Sequence, residues 1–126
     1  MRTNWICSFF LSLFFAVTAS GQVSLKKKAV VYVGSAANTS APATVLESKI
    51  RAATVEWKKM KAEGIDTNSA RGKQLITKMN QRIRKAVKAI ADSEGRDMVT
   101  RKRDLKDDRG RSVVDLTGLV IAELER

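Results

Sequence analysis

Seven cations stand between Thr67 and Ala91 with no acid among them: Arg71, Lys73, Lys78, Arg82, Arg84, Lys85 and Lys88. On a helix turning 100° per residue, Arg71, Lys78, Arg82 and Lys85 fall on one side of an apolar stripe, and Lys73, Arg84 and Lys88 on the other. A face laced only by surface ion pairs would carry carboxylates four residues away, and this segment has none. Uncompensated cations repel one another, which favours a surface that receives an anionic partner over a merely solvated face. An acidic unfolded polypeptide, lipopolysaccharide phosphates, an anionic membrane surface and a nucleic acid all have the required charge. Trp57 lies in a neighbouring apolar stripe. An aromatic there is read first as core and second as a partner contact. The candidate binding residues are therefore Lys78, Arg82, Lys85, Arg71 and Trp57.

Other chemistry is sparse. The chain has no histidine, and its single cysteine is Cys7. Ser–His and Cys–His nucleophile pairs are excluded, as are nitrogen and sulfur metal sites. A carboxylate pair remains, and Asp107–Asp108 is the obvious one. These two are adjacent and precede Arg109-Gly110, an arrangement that suits a turn better than a cleft. Neither an enzyme nor a metal or cofactor is expected.

The chain has 126 residues and a net charge of +11, the size of one domain. Its first residues differ from the rest. Arg2 precedes thirteen uncharged residues, Trp5 to Val17, and the small residues Ala19-Ser20-Gly21 follow. This is the pattern of a cleaved secretory signal over residues 1–21, with cleavage between Ala19 and Gly21, and the run is short for a membrane span. The protein left behind, residues 22–126, would carry 23 basic and 13 acidic residues and neither Cys nor His. Packing alone must hold it together.

Within that domain the apolar pattern changes period. Ala29 to Val33 is a short β-branched and aromatic run, giving a strand at about 28–34. Ser35 to Ser40 is loop, and Pro42 after Ser40 suits the first turn of a helix. Ala43, Leu46, Ile50, Ala53, Trp57 and Met60 recur at three- and four-residue spacing. So do Ile76, Met79, Ile83, Ala86 and Ile90, with Leu75 and Val87 at the margins. The two runs predict an antiparallel helical hairpin over about 41–94, turning at Gly64 to Ser69 and ending at Gly95, with arms about 35 Å long.

Residues 97–117 hold six basic and five acidic residues, so they are not a basic arm. They read as a β-hairpin, with strands at about 97–103 and 111–114 around a turn at Asp107 to Gly110. Asp115-Leu116-Thr117 then opens a C-terminal helix at about 116–125, with Leu116, Val120, Ile121 and Leu124 as its apolar side. The fold class is α+β: a long helical hairpin projecting from a small β-sheet or barrel body.

In this order the elements resemble the Skp/OmpH family of periplasmic chaperones. The matching stretches are Lys28 to Val33, Ile83 to Ala91, Asp97 to Val99 and Asp115 to Ile121. The likeness is strongest from Leu75 to the end and rests on the order of the motifs. The resemblance implies a homotrimer whose strands form a shared barrel, with hairpins enclosing a cavity that holds unfolded outer-membrane proteins without ATP. That family's hairpins are longer, so the enclosed space here would be smaller, and the resemblance leaves open whether a whole client is engulfed or only segments of one are clasped. The expected function is a periplasmic holdase. The alternatives are an envelope structural or assembly protein on the same trimer, or a nucleic-acid-binding protein. The last is disfavoured by the export signal and by the absence of aromatics among the basic residues.

Overall fold

Two parallel strands form the centre of the molecule, and everything else is arranged around them. The computed structural model describes residues 23–126, so the expected signal segment lies outside the described residues. In chain order the elements are β1 (Ser24–Leu25), β2 (Val31–Val33), β3 (Pro42–Val45), α1 (Glu47–Ala53), α2 (Val55–Glu63), α3 (Ala70–Ser93), β4 (Met98–Arg101), β5 (Leu105–Asp107), β6 (Val114–Asp115) and α4 (Thr117–Leu124). The mixed sheet has the order β2-β4-β3-β6, while β1 and β5 form a separate antiparallel ribbon. β3 runs parallel to both β4 and β6, with Pro42 opposite Met98 and Val45 opposite Arg101; β2 is antiparallel to β4. Parallel strands need both faces covered, and all four residues of β3 are buried. One core joins Ala43, Val45 and Val99 of the sheet to Ile50 and to Met79, Ile83 and Val87 of α3, with Leu116 and Val120 at the C-terminal end.

The class is α+β as the sequence indicates, but three elements differ from expectation. Pro42 to Val45 is a central strand, not the start of a helix. Ser40 does not cap: its backbone N–H and hydroxyl both donate to Asp97 Oδ2, at 2.7 and 2.9 Å. Proline is tolerated as the first residue of a strand, and Thr44-Val45 continue it. The three-residue spacing of Ala43 and Leu46 therefore marks a strand and its exit.

The long hairpin is also not formed as expected. The outgoing arm is broken at Thr54 (φ −77°, ψ 146°), whose hydroxyl accepts from Trp57 N at 3.2 Å and so caps a new helix. Its two pieces have 7 and 9 residues, against 24 in α3. α3 is thus one long helix of about 36 Å, starting at the Ser69 cap and ending where Arg96 N bonds to Ala91 O at 2.8 Å beyond Gly95 (φ +65°). Its buried residues from Met79 to Ala91 pack it on the core, while Gly72 is buried against the Asp66–Thr67 turn that precedes it.

The third correction concerns the expected β-hairpin. The strand at 98–101 and the short strand at 114–115 do not pair, because β3 lies between them. The turn itself is present: Asp107 Oδ1 accepts from Arg109 N and Asp108 Oδ1 from Gly110 N, both at 2.9 Å. Asp97 and Gly34 lock the opposite edge. A Cβ on Gly34 (φ +70°) would lie 1.9 Å from the Asp97 carbonyl oxygen, so only glycine fits this approach. The Asp97 carboxylate gathers Thr39, Ser40 and Ala41. Desolvation raises its pKa, but these hydrogen bonds prevail and hold it well below the usual carboxylate value.

The C-terminal helix forms where expected. Asp115 Oδ1 accepts from both the N–H and the hydroxyl of Thr117, and these bonds depress its pKa. Leu46 N in turn donates to Thr117 Oγ1 at 2.8 Å, and Leu116 N to Thr44 O at 2.9 Å. The Asp-Leu-Thr motif thereby anchors α4 to the end of β3.

Candidate functional site

The six residues of the Gly64–Ser69 turn bring α3 back along α2, and the ion pairs fix the relative direction. Glu56 meets Arg82 and Glu63 meets Arg71, so the two helices are antiparallel. Between them Lys78, Arg82 and Lys85 line an open groove of about 310 Å³ together with Glu56 and Gln81. The structure therefore assembles three of the five candidate residues in one place. Arg71 lies further towards the turn and is engaged by Glu63 at 3.2 Å. Trp57 lies in a different cavity.

The three groove cations are not equivalent. Arg82 Nε donates to both oxygens of Glu56, at 2.9 and 3.2 Å, and a further guanidinium nitrogen stands 2.9 Å from Oε1. The Glu56 side chain is only 6% exposed, whereas that of Arg82 is 49% exposed. Arg82 thus neutralises a buried carboxylate, an interaction whose loss would leave that charge unpaired. The missing i,i+4 acids of α3 are supplied in part from α2, which helical periodicity within α3 alone could not show. Arg84 faces the Tyr32 ring at 5.8 Å, and burial is the main reason the Tyr32 hydroxyl has a raised pKa.

Lys73, Lys78, Lys85 and Lys88 are exposed, and among the described residues none of them forms an ion pair. Lys78 and Lys85 keep the groove positive. The carboxylate pair Asp107–Asp108 serves the N–H groups of its own turn. Among the described residues no cluster of His, Cys, Asp and Glu could hold a metal ion, and no helix is long and apolar enough to cross a membrane.

A second site was not anticipated as a unit. Trp57 is half-buried against the core and borders a cavity of about 350 Å³ whose lining includes Glu47, Arg51, Arg101, Lys102 and Arg103. Arg51 and Lys61 face the Trp57 ring at 5.8 and 5.0 Å from its centre. Behind them Arg101 bonds Glu47 Oε2 at 3.0 Å and also Asp104. Asp104 accepts from Val30 N at 3.0 Å as well. Burial would raise the Asp104 pKa, but the Arg101 hydrogen bond leads a set of interactions that lower it. The available sequence signal was the Glu47–Arg51 and Trp57–Lys61 spacing of four. The contribution of residues 101–103 depends on β3 and β4 being neighbours. No protein-family model, curated protein or solved structure matches the chain.

Proposed function

We propose that this protein is an ATP-independent holdase, exported to the periplasm through a cleaved signal, that binds acidic segments of unfolded outer-membrane proteins. The observation that carries the reading is the pair Lys78 and Lys85. These lysines are exposed, without an ion pair among the described residues, and set in one groove with Arg82. A positive groove beside an apolar helix seam suits an extended chain that offers carboxylates and apolar side chains in alternation. Homotrimer assembly belongs to the same reading. Among the described residues β2 pairs only with β4 and β6 only with β3, and such outer strands are available for pairing with further copies. The order of motifs that resembles the Skp/OmpH family supports it too. Because the outgoing arm is broken at Thr54 into two short helices, the mode of action is clasping of segments and not enclosure within long arms.

The test is the double reversal Lys78→Glu/Lys85→Glu in the full chain. Protection of a urea-diluted outer-membrane protein from aggregation should fall several-fold, with the difference largest at low salt. The variant's circular dichroism and mass in solution should match the parent. Equal protection by the variant would reduce the groove to a solvated face. Loss of nearly all parental binding over a few-fold rise in salt would favour a nucleic-acid partner instead.

A further inference from the structure

We infer that the Trp57 cavity is a binding site for a small organic anion with a flat apolar part, separate from the α3 groove. Its position is the first reason. Val45 and Arg101 are register partners at the carboxyl ends of the parallel strands β3 and β4. Beyond them the chains part, into α1 on one side and the 3-10 turn Lys102–Asp104 on the other. The crevice outside the carboxyl ends of parallel strands is where open sheets receive ligands, because backbone and side chains diverge there. The cavity of about 350 Å³ lies in this opening and is within the size range of small-molecule sites.

The lining is the second reason. Arg51, Arg101, Lys102 and Arg103 face one acid, Glu47. Glu47 is already occupied by Arg101, and Arg101 is held again by Asp104. Arg101 is therefore structural, while other donors remain for a ligand. Arg51 Nε is buried with no hydrogen-bond acceptor among the described residues, and Glu47 Oε1 stands 3.7 Å from it, beyond bonding distance. The Arg51 side chain as a whole is 36% exposed and lines the cavity, so its charge is within reach of an entering anion. Lys102 and Arg103 are exposed at the rim, with only Asp115 near Lys102, at 4.0 Å. Trp57, half-buried with Arg51 and Lys61 over its ring, supplies the flat apolar wall. A carboxylate or phosphate on an aromatic or similarly flat body satisfies both halves. It can be a free metabolite-sized anion or an acidic side chain beside an aromatic in a polypeptide.

The probe is phenyl phosphate, titrated into the full chain carrying Trp5→Phe, so that Trp57 is the sole tryptophan and its emission reports the site. Saturable binding with Kd below about 1 mM is expected, and neutral phenol should bind at least about tenfold more weakly. Arg51→Gln and Arg103→Gln should each weaken phenyl phosphate at least about fivefold. Arg103 forms no ion pair among the described residues, so its variant keeps the test valid even if Arg51→Gln unfolds. Lys78→Glu/Lys85→Glu should leave the Kd unchanged, which separates this site from general attraction to a basic protein. A capped peptide alternating Glu and Phe that competes with the probe identifies a polypeptide-borne anion. Probe binding without such competition identifies a free one. The inference is overturned if no saturable change occurs by about 5 mM, if phenol binds as well, if the Arg103 variant binds as the parent does, or if the lysine reversal abolishes binding.

Discussion

Arg101 at the end of the sheet and the lysines along α3 are all cations and are treated in opposite ways. At the sheet end Arg101 is 15% exposed and is held by Glu47 and by Asp104, itself 8% exposed. Along α3, Lys73, Lys78, Lys85 and Lys88 lie in solvent, with no ion pair among the described residues. A buried cation must be matched, because an unpaired charge in the interior costs several kcal/mol, on the order of 3–5 when one partner is removed. An exposed lysine costs almost nothing to leave unmatched. The comparison teaches that unmatched charge accumulates where folding does not constrain it. Such charge is free to serve a partner.

Breaking the matched region should have the largest effect. Asp104→Ala removes the Arg101 hydrogen bond and the anchor for Val30 N together. A loss of about 3 kcal/mol in unfolding free energy is expected, read from the urea midpoint at constant slope. A loss below about 1 kcal/mol would mean that Glu47 alone suffices to hold Arg101.

Arg82 sharpens the comparison because it sits in the α3 groove yet belongs energetically with the matched group. Arg82→Glu would face a second carboxylate onto Glu56, which has a nearly buried side chain. It should destabilise the protein by about 2 kcal/mol. Lys78→Glu/Lys85→Glu should change stability by no more than about 0.5 kcal/mol. Urea unfolding of the two variants side by side measures both effects. Equal losses would remove the distinction drawn here between the arginine and its neighbouring lysines.

Local chemistry was legible in the sequence where local rules decide the outcome. The Gly64–Ser69 turn, the Gly95 stop, the Asp107–Gly110 turn and the Asp115-Leu116-Thr117 entry to α4 all form from residues a few positions apart. The apolar stripe Met79, Ile83, Ala86 is buried as its period requires. Pro42 to Val45 was misread because four apolar or small residues fit a helix start and a buried strand equally well. The Asp97 carboxylate, 56 to 58 residues away, holds Thr39 to Ala41 at the entry to β3. The break at Thr54 was hidden because Ile50, Ala53 and Trp57 keep helical spacing across it. Of Arg71, Lys78, Arg82 and Lys85, which their angles put on one side of the helix, the last three line one groove and Arg71 lies further towards the turn. The Glu56 partner and the Trp57 cavity depend on contacts between elements, which no spacing within one element encodes.

Acid titration tests the matched side from another direction, with a loss expected to be smaller than at Asp104 or Arg82. The folded Asp97 carboxylate has its pKa depressed below the ordinary 3.8 by donors from Thr39, Ser40 and Ala41. As pH falls, the unfolded chain takes up the proton first. The stability contributed by this group is thus fully present above about pH 4 and is lost as pH descends towards the lower folded value. Asp97→Asn should cost about 1 kcal/mol at neutral pH, because an amide nitrogen would face donors. It should also flatten the acid limb of a plot of urea midpoint against pH between about 5 and 2. The limb should not vanish, since Asp104 and Asp115 are depressed as well. The Asp97 side chain is exposed, so solvent screening keeps its share modest. Lys78→Glu/Lys85→Glu should leave the limb of the parent nearly unshifted, because neither lysine pairs with any of these carboxylates. An unchanged limb in Asp97→Asn would show that the loop before β3 is held by its backbone alone.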